Sequence, residues 1–320
     1  MWKREEHESI PLLEALIRRL PIEEARFFEE KLGREKSGFY GEQRLDKEWL
    51  DFRIQSRYLL LNGLKFENEA GFTHQIDTVF ICPNFIFVLE AKNITGRIDI
   101  DDETNQCIRT RSDGSIEGFT NPIDQVRRHG GYVRGYLREI GVSVPVVCGV
   151  VFCNPHSIIG KVNARDVLVF QVSGLRYKVE RLFAQFPHPV IDQSQMRIIA
   201  EKLIASRKMD AWKPRYDKSK LRKGVLCSRY NYRYLMQYRY GKWVCTRCGN
   251  VDCQAFYEAL HDYRLLWGER ISNNEFREFV GIRSEKTAYR LLRKLNLNSE
   301  GNFKNRRYLV PVDFLKMSGK

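Results

Sequence analysis

The stretch HQIDTVFICPNFIFVLEAKN, residues 74–93, decides the fold. Two apolar runs with strand periodicity flank Pro83-Asn84, a turn signal. A hairpin turning between those two residues pairs positions whose numbers sum to 167, which sets Asp77 directly opposite Glu90. Directly opposed Cβ atoms lie ~4.5–5.5 Å apart, and like charges there repel. The surrounding Val79, Ile81, Phe85, Phe87 and Leu89 predict partial desolvation, which deepens the repulsion. Alternation places Lys92 on the face of Glu90 and turns Ala91 away.

Two carboxylates and a lysine at one strand end suit metal-assisted phosphodiester cleavage. The carboxylates satisfy the oxygen preference of Mg²⁺ or Mn²⁺. Such an ion neutralises charge on the phosphate and lowers the pKa of a bound water. The lysine can hold that water and offset charge in the transition state. The letters D…ExK match by chance often, and a plain hairpin with a surface Glu–Lys face would carry them too. The catalytic reading rests on the register, which puts both carboxylates on one side of one hairpin.

Outward from the hairpin, residues 9–32 read as two amphipathic helices broken at Pro21, followed by a polar joint at 33–38 (GREKSG). A further helix is expected from Phe39 to about Ile54, then strand-like runs at Tyr58–Leu61, Ile98–Ile100 and Cys107–Arg109. Asn121-Pro122 starts a helix, with Asn as its cap and Pro at its first position, running to about Glu139. Val144–Cys153 is apolar enough for a buried central strand, and Val167–Val172 is another. Helices are expected over 176–185 and 193–207. The class is α/β.

A chain of 320 residues with 43% hydrophobic residues can build two or three cored units. No apolar run reaches the roughly 20 residues of a membrane span. The first residues alternate charge with apolar side chains, so no secretory signal and a cytoplasmic location are expected. The eight cysteines are then expected as thiols or metal ligands. Of the net charge of +14, residues 206–320 carry 26 Lys+Arg against 11 Asp+Glu, leaving residues 1–205 at −1. That asymmetry points to a polyanion, most simply nucleic acid. Arg229, Tyr230, Tyr232, Arg233, Tyr234, Tyr238, Arg239, Tyr240 and Trp243 interleave rings with cations, a pattern suited to stacked single-stranded bases. The same rings could instead form the small core of a β-ribbon.

Gly41-Glu42, Gln75-Ile76-Asp77, Glu90-Ala91-Lys92-Asn93-Ile94-Thr95-Gly96 and Asn121-Pro122 with Gln125 resemble the NERD, or nuclease-related, domain. That family is a branch of the PD-(D/E)XK restriction-endonuclease-like superfamily. The resemblance covers roughly residues 37–155 and implies a mixed sheet flanked by helices, with the site at a sheet edge. By it, Asp77 and Glu90 are metal ligands, Lys92 is the catalytic lysine, and Glu42 completes or supports the metal site. Gln125 would orient water or phosphate. Taken alone, Glu42 and Gln125 read as ordinary surface residues of helices.

Cys245-Thr246-Arg247-Cys248-Gly249 is a knuckle of zinc-ribbon kind, its Gly permitting the tight turn. Cys227 begins a second knuckle in which Tyr230 stands where a paired Cys belongs, a departure from the two CxxC pairs usual in such ribbons. Cys253 or His261 could be a fourth ligand to a structural Zn²⁺, or the ribbon could be degenerate and empty. Cys82, Cys107, Cys148 and Cys153 read as core thiols. Further on, residues 253–267 form a helix, Ser272-Asn273-Asn274-Glu275 is a capping box, and Ser284 caps a third helix. The third helix turns Lys286, Tyr289, Arg290, Arg293 and Lys294 away from its apolar stripe, a helix-turn-helix pattern, with Lys304, Arg306 and Arg307 on a basic wing. A small bundle packed on the nuclease is the structural alternative.

The expected organisation is N-terminal helices at 1–36, a nuclease-like domain at 37–205, a basic linker at 206–224, a ribbon-like segment at 225–253 and a basic helix-turn-helix-like domain at 254–320. The expected activity is Mg²⁺- or Mn²⁺-dependent hydrolysis of nucleic acid, DNA first, with no nucleotide cofactor and with a homodimer left open. The rival reading is a non-catalytic nucleic-acid-binding or DNA-processing accessory protein that uses the nuclease fold as a scaffold.

Overall fold

The computed structural model describes residues 4–67, 71–208, 213–302 and 305–317. Residues 209–212 of the expected linker and Lys304 of the expected wing lie outside the described residues. The chain divides into two units. One holds residues 36–210 with the first six residues, and the other holds residues 7–35 with 211–320. The expected N-terminal helices therefore belong largely with the C-terminal third. Among the described residues no helix is long and apolar enough to cross a membrane.

Helix α1 spans Ser9–Arg19, and α2 spans Ile22–Asp51 without a break. The joint expected at 33–38 is thus helical. Gly33 and Gly38 face open space. Each costs the helix about 1 kcal/mol relative to Ala. The Glu, Lys and Arg between them favour helix, and buried Leu45 and Trp49 anchor the far end.

The first unit is built on β1 (Leu59–Glu67), β2 (Thr73–Ile81), β3 (Ile86–Lys92), β4 (Gly96–Asp101), β5 (Gln106–Thr110), β6 (Ile116–Phe119), α3 (Pro122–Glu139), β7 (Val146–Phe152), β8 (Ser157–Val162), β9 (Val167–Gln171), α4 (Leu175–Gln185) and α5 (Gln193–Ala205). Its main sheet has the order β1-β2-β3-β7-β9. The first three strands run antiparallel, while β3, β7 and β9 are parallel. A smaller sheet, β6-β5-β4-β8, stands beside it. On one face of the main sheet Val79, Ile81, Ile86 and Val88 pack with Val126 and Val133 of α3 and Ile199 and Leu203 of α5. On the other face Phe80, Phe85, Phe87 and Leu89 pack with Leu45 and Trp49 of α2 and Leu175 and Val179 of α4. Burial on both faces accounts for the unbroken apolar runs of β3 and β7. The α3 start forms as expected: Asn121 Oδ1 accepts the Ile123 N–H at 2.9 Å.

The second unit adds β10 (Val225–Leu226), β11 (Leu235–Arg239), β12 (Lys242–Cys245) and β13 (Val251–Asp252), an antiparallel sheet in chain order. Then come α6 (Ala255–Leu266), β14 (Arg270–Ser272), α7 (Asn273–Val280), α8 (Glu285–Lys294), β15 (Ser299–Glu300), β16 (Arg307–Leu309) and α9 (Phe314–Met317). Strand β16 pairs with both β14 and β15, so the α7–α8 pair is flanked by a three-stranded sheet. The Ser272–Glu275 capping box opens α7 and Gly281, at φ +77°, closes it.

Helix α1 is fixed to α6 by charge. Arg19, 1% exposed, donates to Asp262 Oδ2 at 2.8 Å and to the Arg222 and Gly224 carbonyls at 2.9 and 3.0 Å, while Arg18 donates to Asp262 Oδ1 at 2.7 Å. Removing one partner of such a buried pair strands the other. Asp262→Ala should therefore cost about 3–5 kcal/mol in chemical denaturation of the full chain. A loss under about 1 kcal/mol, as for an exposed pair, would contradict this account.

Candidate active site

The hairpin register is the one the sequence predicts: Thr78 pairs Leu89 and Val79 pairs Val88. Cys82 closes the turn, its N–H donating to the Phe85 carbonyl at 3.1 Å. Past Thr78 the ladder gives way to side chains, and Asp77 Oδ2 accepts the Ala91 N–H at 2.8 Å. Asp77 and Glu90 are 7% and 2% exposed. Lys92 donates to Glu90 Oε1 at 2.7 Å and to Gln125 Oε1 at 2.9 Å. Glu42 of α2 accepts from Arg4, which also donates to Asp46 at 2.8 Å and to Thr78 Oγ1 at 3.0 Å.

The structure thus brings Glu90, Lys92 and Gln125 together at the sheet end, with Asp77 within reach of the Glu90 and Lys92 charges and Glu42 close enough to act on Asp77. Burial, then the Glu90 and Glu42 charges, push the Asp77 carboxyl well above the usual carboxylate range, against weaker opposition from Lys92 and the Ala91 N–H. Burial works to lower the Lys92 ammonium, but the charge and hydrogen bond of Glu90 hold it above its ordinary value. Gln125 meets the lysine rather than standing clear of it, its amide oxygen accepting from the Lys92 ammonium.

Two residues were missed in the sequence. His129, 1% exposed, points Nδ1 at Glu90 Oε2 from 3.4 Å, and both atoms are buried without a hydrogen-bond partner. It lies four residues after Gln125 on the same helix face, a spacing that could have found it. Arg4 carries no such signal, since it lies 38 residues from Glu42 in an unpatterned charged segment.

A divalent ion fits this donor set. Glu90 Oε2 is an orphaned buried acceptor, and Asp77 is a carboxyl whose ionisation its neighbours oppose. Asp77 and Glu90 are the residues that would hold it, while Glu42 is occupied by Arg4 and adds charge from the side.

The cysteine segment converges in part. Cys227, Cys245 and Cys248 bring their sulfurs within 4.8 Å of one another, among the described residues a group able to hold a metal. Burial raises the Cys227 thiol; at Cys245 burial also pushes the thiol up, yet hydrogen bonds from the backbone N–H groups of Cys248 and Arg247 outweigh it and the thiol is lowered. Cys253 is exposed and stands outside the group, as does His261 on α6. Cys82, Cys107, Cys148 and Cys153 are buried, and burial pushes Cys82 to about 11 and Cys153 to about 12. On α8, Lys286, Tyr289, Arg290, Arg293 and Lys294 are all exposed; on the wing Arg307 is exposed and Arg306 half-buried.

Residues 37–153 match the family model described as NERD, nuclease-related domain. The mixed α/β sheet fits a nuclease-like fold, and residues 37–153 are similar to that family's domain. No curated protein and no solved structure matches the chain.

A carboxyl with a raised folded pKa stabilises the fold below its unfolded pKa and loses that contribution as pH rises through the folded value. Without metal, stability of the wild type should therefore decline as pH climbs past the ordinary carboxylate range. Asp77→Asn keeps the acceptor for the Ala91 N–H and removes the charge. It should flatten that decline and raise the metal-free Tm at neutral pH, by roughly 2–4 °C for each kcal/mol relieved. Thermal melts across pH with EDTA check this; a lowered Tm at every pH would refute it.

Proposed function

We propose that the protein is a metal-dependent nuclease, with nucleic acid held mainly by its C-terminal unit. The observation that carries the reading is the pair of buried carboxyls Asp77 and Glu90, just past the last paired residues of one hairpin, with Lys92 donating to Glu90. Mg²⁺ or Mn²⁺ bound there would supply charge neutralisation at the phosphate and a more acidic water. Lys92, aimed by Gln125, holds the attacking water and offsets charge that builds in the transition state. His129 keeps its ring against Glu90 and limits where that carboxylate can turn. Arg4 balances Glu42, so the cluster is not left with three uncompensated carboxylates. The three-thiol group suits a soft ion such as Zn²⁺ in a structural role.

The exposed face of α8 supports DNA as the polymer. A helix, a Gly-containing turn and a basic second helix have the arrangement that docks in a major groove. Arg290 and Arg293 lie on that face, and Arg307 stands on the adjoining sheet.

Cleavage of linear, circular and single-stranded DNA and of RNA, compared in Mg²⁺, Mn²⁺ and EDTA, tests the chemistry. Lys92→Ala should lower the rate by about 10²–10⁴-fold with binding intact, and Glu90→Gln should lose metal affinity with activity. Binding without cleavage under any divalent ion would instead favour the scaffold reading. For the surface, Arg290→Ala with Arg293→Ala should weaken duplex binding and reduce the slope of log K against log salt by about 2. An unchanged slope would remove α8 from the interface.

A further inference from the structure

The β11–β12 hairpin carries a feature that catalysis and α8 leave unused. Its turn is Tyr240-Gly241, with φ of +48° and +81°. Positive φ at both central positions is the geometry that matches strand twist, and Asn, Asp or Gly normally takes the first of them. A bulky tyrosine there is strained. Its side chain recovers nothing inside the protein: Tyr240 is fully exposed at 102%, and among the described residues it has no ring, ionic or hydrogen-bonded partner. A Cβ added at Gly241 would meet nothing within 4 Å, so the space around the tip is open.

The residues flanking the tip are also set against their own stability. Arg239 and Lys242 pair directly, two cations where like charges are unfavourable. Met236, Trp243 and Cys245 point into the core, so Leu235, Gln237, Arg239, Lys242, Val244 and Val251 form the outward face of the sheet. That face holds two cations, no carboxylate, and exposed apolar surface at Leu235 and Val251.

We infer that the β11–β12 tip is a stacking finger for an unpaired base of single-stranded nucleic acid. Tyr240 provides the ring, and Arg239 and Lys242 provide the charge for the flanking phosphates. A ring projecting from between two cations matches a strand whose bases and phosphates alternate, and sequence-tolerant stacking needs only a planar face. The choice of nucleic acid over another polyanionic surface rests on the reading of the protein as a nuclease. The tip itself does not depend on the metal chemistry.

The test uses the full chain and three ligands: labelled dT12, a 12-base-pair duplex, and anionic lipid vesicles. Tyr240→Asn places at the turn a residue that turn prefers, so the fold is kept, and Tyr240→Phe keeps the ring. Tyr240→Asn should weaken dT12 binding by about tenfold, with the salt slope unchanged because no charge is lost. Tyr240→Phe should bind as wild type, duplex binding should hold in both variants, and a 2-aminopurine base should be quenched by wild type but not by Tyr240→Asn. Wild-type affinity for dT12 in Tyr240→Asn overturns the finger and leaves the nuclease reading standing. So does an equal loss on duplex, or a preference for vesicles over dT12. If the wild type binds no nucleic acid even at low salt, the finger and the nucleic-acid role of the C-terminal unit fall together, while metal-dependent cleavage is judged by its own assay.

Discussion

The first unit is organised around a repulsion. Asp77 and Glu90 are buried at the end of one hairpin, close enough for the Glu90 charge to act on Asp77, with little water to screen it. The surroundings answer with one cation for each of the other carboxylates, Lys92 for Glu90 and Arg4 for Glu42. Asp77 is left with a single backbone N–H and the weaker pull of its neighbours. A fold selected for stability alone would place an apolar residue or an amide at that position. Keeping a carboxyl there at a cost is the pattern of sites that trade stability for function.

The elements around the pair gain their approach by omitting side chains. A Cβ at Gly41 would meet the Asn93 Cβ at 2.7 Å, so the glycine lets α2 lie against the loop that follows Lys92 and brings Glu42 to the site. A Cβ at Gly130 would meet the Cys148 sulfur at 2.3 Å, so this glycine lets α3 settle onto β7. That depth puts Gln125 and His129 over the strand end. Asn93 completes the support, donating to the Ser37 carbonyl at 2.8 Å and accepting from Asn154 at 3.0 Å.

What the sequence revealed followed from period and local chemistry. The hairpin register was legible because Pro83-Asn84 fixes the turn and a one-residue slip would move every apolar side chain to the wrong face. Asn121-Pro122 and Ser272–Glu275 marked helix starts because caps are local. Misreadings arose where tertiary contact overrode local preference. The 33–38 segment reads as a joint, yet it is carried through as helix because packing at Leu45 and Trp49 outweighs two glycines. Nothing local links Arg19 to Asp262 across 243 residues, or Arg4 to Glu42. In the cysteine segment spacing identified Cys245 and Cys248. Cys227 was legible as the start of a second knuckle, and its sulfur does join them; the sequence left the fourth ligand open, and among the described residues Cys253 and His261 lie outside the group.

The charge distribution follows from the same repulsion. If the carboxylate cluster holds a cation, as proposed, it would present negative charge to any phosphate that approached before the cation was bound. Residues 1–205, with a net charge of −1, have no surplus positive charge to overcome that barrier at a distance. Attraction of a polyanion then has to come from surface that takes no part in the chemistry. Under the nuclease reading proposed above, the net +15 of residues 206–320 would provide it, with exposed cations on α8 and at the β11–β12 tip. Separating the two tasks lets affinity be tuned by salt and surface charge without disturbing the balance of charges around Asp77.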